Sequence, residues 1–227
     1  DYPSAPYFGD PYRNFYSEDI YVGYRYFETF ARDKVLYPFG FGLSYTTFDI
    51  AITGAKQLSD KWDFTVKVTN TGNYSGKEVV QIYCKAPQGR LGKPSRVLCG
   101  YEKTDTLAPG KSQVMTISVS NAQIASYDDS GVTGHAHCFV LEEGTYRFYA
   151  GSDVRSAKEF YHCPQNSTEI ISRHEQALAP VESFDRIHPE ISEGRYVIRM
   201  ENVPLSHGRT MILHPAMFRK SSGHHYG

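Results

Sequence analysis

The side chains able to do chemistry in this chain are three carboxylate pairs, Glu18-Asp19, Asp128-Asp129 and Glu142-Glu143, with the histidines His135 and His137. Two carboxyl groups can run acid–base or nucleophilic chemistry when they face each other across a scissile bond. Sequence neighbours on a strand point to opposite faces, so none of these pairs is set to straddle a bond. All six are expected as turn or surface charges. His135 and His137, in Gly134-His135-Ala136-His137-Cys138, would share one strand face and invite a metal ion. Without further ligands at a fixed spacing, solvent-facing or loop histidines are the simpler expectation. His224 and His225 fall in a terminal tail. No phosphate loop, nucleophile elbow or Walker-type segment occurs. On this reading the chain has no catalytic, cofactor-binding or metal-ligating residue, and no cofactor is expected.

Cys84, Cys99, Cys138 and Cys163 are spaced irregularly, with no C-x-x-C pair, which is not a metal pattern. Cys84 continues the apolar face of Val80 and Ile82, and Cys99 sits between Val97 and Tyr101 in the same way. Both read as small buried hydrophobes and reduced thiols. A Cys84–Cys99 bridge stays open if their strands pair. Asn73-Tyr74-Ser75 and Asn166-Ser167-Thr168 match the glycosylation pattern.

The 227 residues carry a net charge of −1, enough chain for one or two compact domains. Near-neutrality argues against nucleic acid or an anionic membrane as partner, since both require a basic surface. No apolar run approaches the roughly 20 residues of a membrane helix. No signal peptide opens the chain and its cysteines read as unpaired, which points to the cytoplasm, while Asp1 reads as a cut or processed N-terminus. Eighteen Tyr and thirteen Phe suit β-structure, and also surfaces that face carbohydrate.

The elements that must position these residues divide at Pro38-Phe39-Gly40-Phe41-Gly42. Before this turn the chain is aromatic-rich. Residues 1–15 should be irregular, and Ile20 to Phe30 reads as an extended segment with a short helical turn. After it come alternating strands: Phe48 to Ile52, Trp62 to Val68, Glu78 to Lys85, Arg96 to Lys103, Val114 to Ser120, His137 to Leu141, Thr145 to Ala150 and Ala157 to His162. Asn121 to Tyr127 would be a brief helical turn, and Glu143-Gly144 a hairpin turn. Strands this short, with turns about every 8–12 residues, give a mainly β chain built as a β-sandwich. Beyond Cys163 the sequence is polar with spaced prolines and reads as a linker, followed by one alternating stretch at Gly194 to Glu201 and an extended tail.

Several motifs resemble one enzyme family. YSEDIYVGYRYFETF followed by VLYPFGFGLSYTTF is similar to the end of the α/β-sandwich domain of glycoside hydrolase family 3, the β-glucosidases. VKVTNTGNYSGKEVVQIYCKAPQGRLGKPSRVLCGYEKTDTLAPGKSQVMTISVS resembles that family's fibronectin type III-like domain, so the match runs from Tyr16 to Ser156. ALAPVESFDRIHPE and GRYVIRMENVPL resemble members in which the catalytic barrel comes last. The resemblance implies an immunoglobulin/fibronectin type III-like sandwich over 46–162. It implies a remnant of the α/β domain over 1–45, and a linker with the start of a following domain over 163–227. After Ser206 the sequence departs from the family pattern, which is read as a truncation or frame change; translating the encoding DNA in all three frames tests this.

The family's nucleophile is an Asp in a Ser-Asp-Trp-like segment, absent here; Ser152-Asp153-Val154 is a superficial echo. Its Lys-His-Phe substrate segment is also absent, and its acid/base Glu belongs upstream of Tyr16. No catalytic residue carries over. The expected role is a non-catalytic scaffold of a β-glucosidase, partnered by that enzyme's barrel and α/β domains, with carbohydrate as a further candidate partner. The loop Ala86 to Ser95, rich in Gly, Pro and cationic residues, would then approach the substrate cleft or be an ordinary solvent loop. The alternative is a free-standing sugar- or protein-binding sandwich module.

Overall fold

Apolar alternation builds the core. In strand β2 (Lys61–Asn70), Trp62, Phe64, Val66 and Val68 lie on one face and all are buried. Each such side chain contributes roughly 1.5–3 kcal/mol by leaving water. β2 lies between β1 (Phe48–Gln57) and β5 (Ser112–Ser120) in an antiparallel three-stranded sheet. Facing it is a four-stranded antiparallel sheet in the order β4 (Val97–Lys103), β3 (Val79–Lys85), β8 (Gly144–Gly151), β9 (Lys158–Gln165). Phe64 bridges the two layers, with ring centroids 5.0 Å from Phe148 and 4.9 Å from Phe160. A further sheet, β10 (Glu169–Arg173), β7 (Cys138–Leu141), β6 (Ser126–Asp128), closes one end. The computed structural model describes residues 9–12, 14–176 and 179–205. Its architecture is the expected mainly β sandwich.

Three local expectations differ. Tyr24–Phe30 forms the helix α1, where an extended segment with only a short helical turn was expected over Ile20 to Phe30. The β-like alternation of Val22, Tyr24 and Tyr26 loses to packing, because Tyr26 turns inward with Tyr21, Ala31 and Ile187. Second, Glu143-Gly144 is not a hairpin turn: β7 and β8 lie in different sheets, and the chain crosses between layers at Glu142-Glu143. Third, the stretch read as a linker carries structure. β9 runs on to Gln165, β10 packs Ile171 against the main core, and β11 (Phe184–Ser192) pairs with β12 (Arg195–Val203). The two-residue turn Glu193-Gly194 has φ of 50° and 75°, the left-handed pair that a tight β-hairpin requires. Its prolines, read as breakers, sit in positions that tolerate them; Pro189 lies in a two-stranded ribbon. The expected helical turn is present as α2 (Asn121–Ile124), closed by a capping box between Ser120 and Gln123. The tail from Ser206, with His224 and His225, lies outside the described residues.

The N-terminal segment is built onto the sandwich. β3 is buried on both faces, and what covers its outer side is this segment. Tyr83, Tyr149, Val154 and Ala157 form a second apolar cluster, capped by Tyr24 and Leu98. The Tyr24 ring stacks on Phe39 at 4.1 Å, and its hydroxyl accepts the Leu98 N–H at 2.9 Å. The Pro38–Gly42 turn is pinned as well: Val154 N–H donates to Phe39 O at 3.0 Å, and Gln81 Nε2 donates to Gly40 O at 3.3 Å. Gly40 has φ +87°, and a Cβ there would lie 2.2 Å from the Gln81 amide oxygen, so only glycine fits. On the other side, Arg155 pairs with Glu28 of α1 at 2.8 Å, and Ile187 N–H of β11 donates to Ser17 O at 2.8 Å. The segment is wedged between sandwich and hairpin.

Candidate functional site

The carboxylates expected at the surface divide sharply. Glu143 is exposed, but Glu142, Asp128 and Glu18 are buried. Surface placement is therefore wrong for these three, and for Glu142 and Asp128 the reason is local satisfaction. Asp128 accepts N–H bonds from Gly131 (2.7 Å), Val132 (3.1 Å) and Thr133 (2.9 Å), capping the loop that follows β6. Burial alone would raise its pKa, but the Thr133 hydroxyl and these three amides hold it below the ordinary value.

Glu142 organises the loop from Ala86 to Ser95. Arg90 N–H donates to Glu142 Oε1 at 2.7 Å, Leu91 N–H to Oε2 at 3.4 Å, and the Lys93 ammonium pairs with Oε2. Both charged side chains are only 4% exposed. Gln88 closes the loop on itself, accepting from Lys93 N–H and donating to Lys93 O, each at 3.0 Å. Ser95 then ties it to α1 through Thr29 Oγ1 and Glu28 O, both at 3.0 Å. The run of Gly, Pro and cations reads as a solvent loop, yet it is a rigid structure around a buried ion pair.

Arg186 of β11 gathers the other carboxylates. It is bidentate to Asp129, at 2.6 and 3.2 Å, and lies 3.6 Å from Asp19 and 3.7 Å from Glu201. Burial would lower the Arg186 pKa, but the three carboxylates raise it, so the guanidinium stays charged. Burial, with Asp129 and Glu201 nearby, lifts Asp19 above the usual carboxylate range despite Arg186. Arg186, Asp129 and Asp19 edge a cleft of about 420 Å³ between α1, the Ala86–Ser95 loop, α2 and β6. Its walls include Ile20, Leu91, Pro94, Val97, Ile124 and Phe139, with Arg25, Gln123 and Tyr127 adding polar groups. Arg186 escaped the sequence reading because it lies in the stretch read as linker; its one signal is the alternation of Phe184, Arg186 and His188.

His135 and His137 do not share a strand face. β7 begins at Cys138, and His137 has φ +60° in the preceding turn. Among the described residues, no three His, Cys, Asp or Glu side chains cluster as a metal site. Asp153 caps its own turn, accepting from Arg155 and Ser156 N–H at 2.8 Å each. Asn73 and Asn166 are exposed in the connections after β2 and β9. Among the described residues, no helix is long and apolar enough to cross a membrane.

All four cysteines are free and buried. Cys84 and Cys99 lie on neighbouring strands but are unbonded, and Cys99 Sγ donates to Ile82 O at 3.3 Å. Burial pushes the Cys84 thiol well above its ordinary pKa, with Cys99 and Cys163 adding to the shift. Thiol reagents should accordingly label the native chain at least about a hundred-fold more slowly than the urea-unfolded chain. Prompt labelling of one equivalent in native buffer would contradict this packing.

Comparison with known proteins agrees with the fold. Residues 78–154 match the fibronectin type III-like domain model. A β-glucosidase of Ruminococcus albus is 53% identical over 206 residues, which is 91% of this chain and 21% of that enzyme. β-Glucosidase A of Butyrivibrio fibrisolvens is 40% identical over 99% of this chain and 29% of its own length. The solved structure of a Paenibacillus barengoltzii β-glucosidase superposes with a TM-score of 0.86 at 45% identity, covering 93% of this chain and 24% of that one. The chain thus spans between a fifth and a third of these relatives. It is therefore similar to the fibronectin type III-like region of the glycoside hydrolase family 3 β-glucosidases, with the domain match itself confined to residues 78–154.

Proposed function

We propose that this region is a non-catalytic scaffold that braces the α/β and barrel domains of a β-glucosidase, an enzyme hydrolysing terminal β-D-glucosyl residues. The observation that carries the reading is the two-sidedness of the N-terminal segment. Tyr21, Tyr24 and Tyr26 are used within this chain, packing on the sandwich and hairpin. Leu36, Tyr37, Leu43 and Tyr45, on the same segment, are 91%, 70%, 93% and 95% exposed. Apolar surface of this density is expected at a contact rather than in water. The occupant proposed for it is the neighbouring domain of the enzyme, since the relatives carry between about seven-tenths and four-fifths of their length outside the matching part.

On this reading, residues 1–45 complete the α/β-sandwich domain, 163–227 lead into the barrel, and acid and nucleophile come from those partners. The free thiols suit a reducing compartment, the cytoplasm. Hydrolysis of a chromogenic β-glucoside by the purified chain tests the assignment, with turnover no higher than a heat-killed control expected. Turnover that survives repurification would place the acid and nucleophile within these residues and end the scaffold reading.

A further inference from the structure

The cleft beside Arg186 is not used by the scaffold role. Its volume, about 420 Å³, falls in the range of small-molecule sites, and its make-up is of the same kind: apolar walls with a few convergent polar groups. Two features narrow the ligand. Tyr127 is 37% exposed and its ring is held by contacts with Phe139 at 5.1 Å and His174 at 6.5 Å, so a fixed aromatic side chain borders the space. Around it stand carboxylate, guanidinium and amide groups: Asp19, Arg25, Gln123, and Asp129 held bidentate by Arg186. A ligand that matches both has an apolar face and a rim of hydroxyls that can donate to carboxylates and accept from guanidinium and amide. A fully apolar ligand would strand the charged rim, and an anion approaching Arg186 would meet Asp19 and Asp129, while Lys93 in the cleft wall is already paired with Glu142.

We propose that this cleft binds a single pyranose ring, its C–H face toward Tyr127 and its hydroxyls toward Asp129, Asp19 and Arg25. Arg186 acts as a positioning residue, holding Asp129 in place. The preference for a pyranose follows from the cleft's own chemistry and stands whether or not the chain is a scaffold.

The test is titration of the whole chain with methyl β-D-thioglucopyranoside, which resists hydrolysis, followed by isothermal calorimetry and ligand-observed NMR. A ligand of this size should bind with a dissociation constant of about 1 mM. Tyr127→Ala and Arg25→Ala should each weaken binding about ten-fold. Both side chains border the cleft outside the main core, so thermal unfolding should stay close to wild type and report folding separately. Cyclohexylmethanol, a ring without the hydroxyl array, should bind at least about ten-fold more weakly. Absence of saturable binding by the wild-type chain, binding unchanged in both folded variants, or equal affinity for cyclohexylmethanol would each overturn the proposal. Because the probe is not hydrolysed, none of these outcomes bears on the activity assay that tests the scaffold reading.

Discussion

Glu142→Gln should destabilise the chain by about 3–5 kcal/mol, the usual cost of removing one partner from a buried ion pair. The change is nearly isosteric, so the loss is electrostatic rather than steric. Lys93 would be left in a site where its side chain is 4% exposed, with only the Asp128 carboxylate, which it does not pair with, to offset its charge. The signature is in the pH dependence. Burial lowers the Lys93 pKa below its ordinary 10.5, and the Glu142 hydrogen bond and charge push it partly back. A lysine with a depressed pKa holds fewer protons folded than unfolded, so stability rises as pH rises towards the unfolded value. Removing Glu142 depresses Lys93 further and starts that rise at lower pH. The deficit of Glu142→Gln relative to wild type should therefore narrow as pH is raised from neutrality towards 10.5. Urea unfolding at several pH values reads both quantities. A deficit under about 1 kcal/mol, or one that does not change with pH, would show that the pair is dispensable.

The same residue shows where the sequence can and cannot be read. β2 was legible because Trp62, Phe64, Val66 and Val68 alternate, and period-two burial is a local property of the strand. The β-sandwich follows from several such strands and the turns between them, and its fibronectin type III-like kind from the resemblance of longer motifs. Glu142 was read as a surface charge because its neighbour Glu143 makes the pair look like a polar turn. Its partner Lys93 lies 49 positions earlier, and nothing in the spacing links them. Arg186 and Asp129 are 57 positions apart and meet only because the hairpin folds back over the end of the sandwich. Tertiary packing also overrode the strand-like pattern before Phe30, where α1 forms so that Tyr24 can cap the outer face of β3. Turns and strands are written in neighbouring residues; buried charges are written in pairs.

Asn70 carries the same distinction to a single side chain, and its loss should be comparable in size. In the sequence it opens the turn Asn70-Thr71-Gly72-Asn73. In the structure it is completely buried and its amide is fully engaged. Oδ1 accepts from Thr46 Oγ1 at 2.7 Å and from Gly72 N–H at 3.0 Å, while Nδ2 donates to Tyr74 O at 2.8 Å and Leu107 O at 2.7 Å. One side chain thus fastens the entry to β1, the turn after β2 and the loop before β5. Asn70→Ala would strand four partners around a cavity that no other side chain fills. At about 0.5–1.5 kcal/mol per net hydrogen bond, the expected loss over four bonds is about 2–6 kcal/mol. Thr46→Val, which removes one donor, should cost about 1 kcal/mol by the same reasoning. Asn70→Asp separates the acceptor role from the donor role. It keeps an oxygen for Thr46 and Gly72 but turns the other against the carbonyls of Tyr74 and Leu107. That buried, repelled carboxylate would have a raised pKa in the folded state. It then binds more protons folded than unfolded, so the variant should recover stability as pH falls and lose it as pH rises. Urea midpoints for the three variants, with hydrogen exchange at the Gly72 amide, decide the matter. A loss below about 1 kcal/mol for Asn70→Ala would mean that water replaces the amide, and that the junction between N-terminal segment and sandwich is held elsewhere.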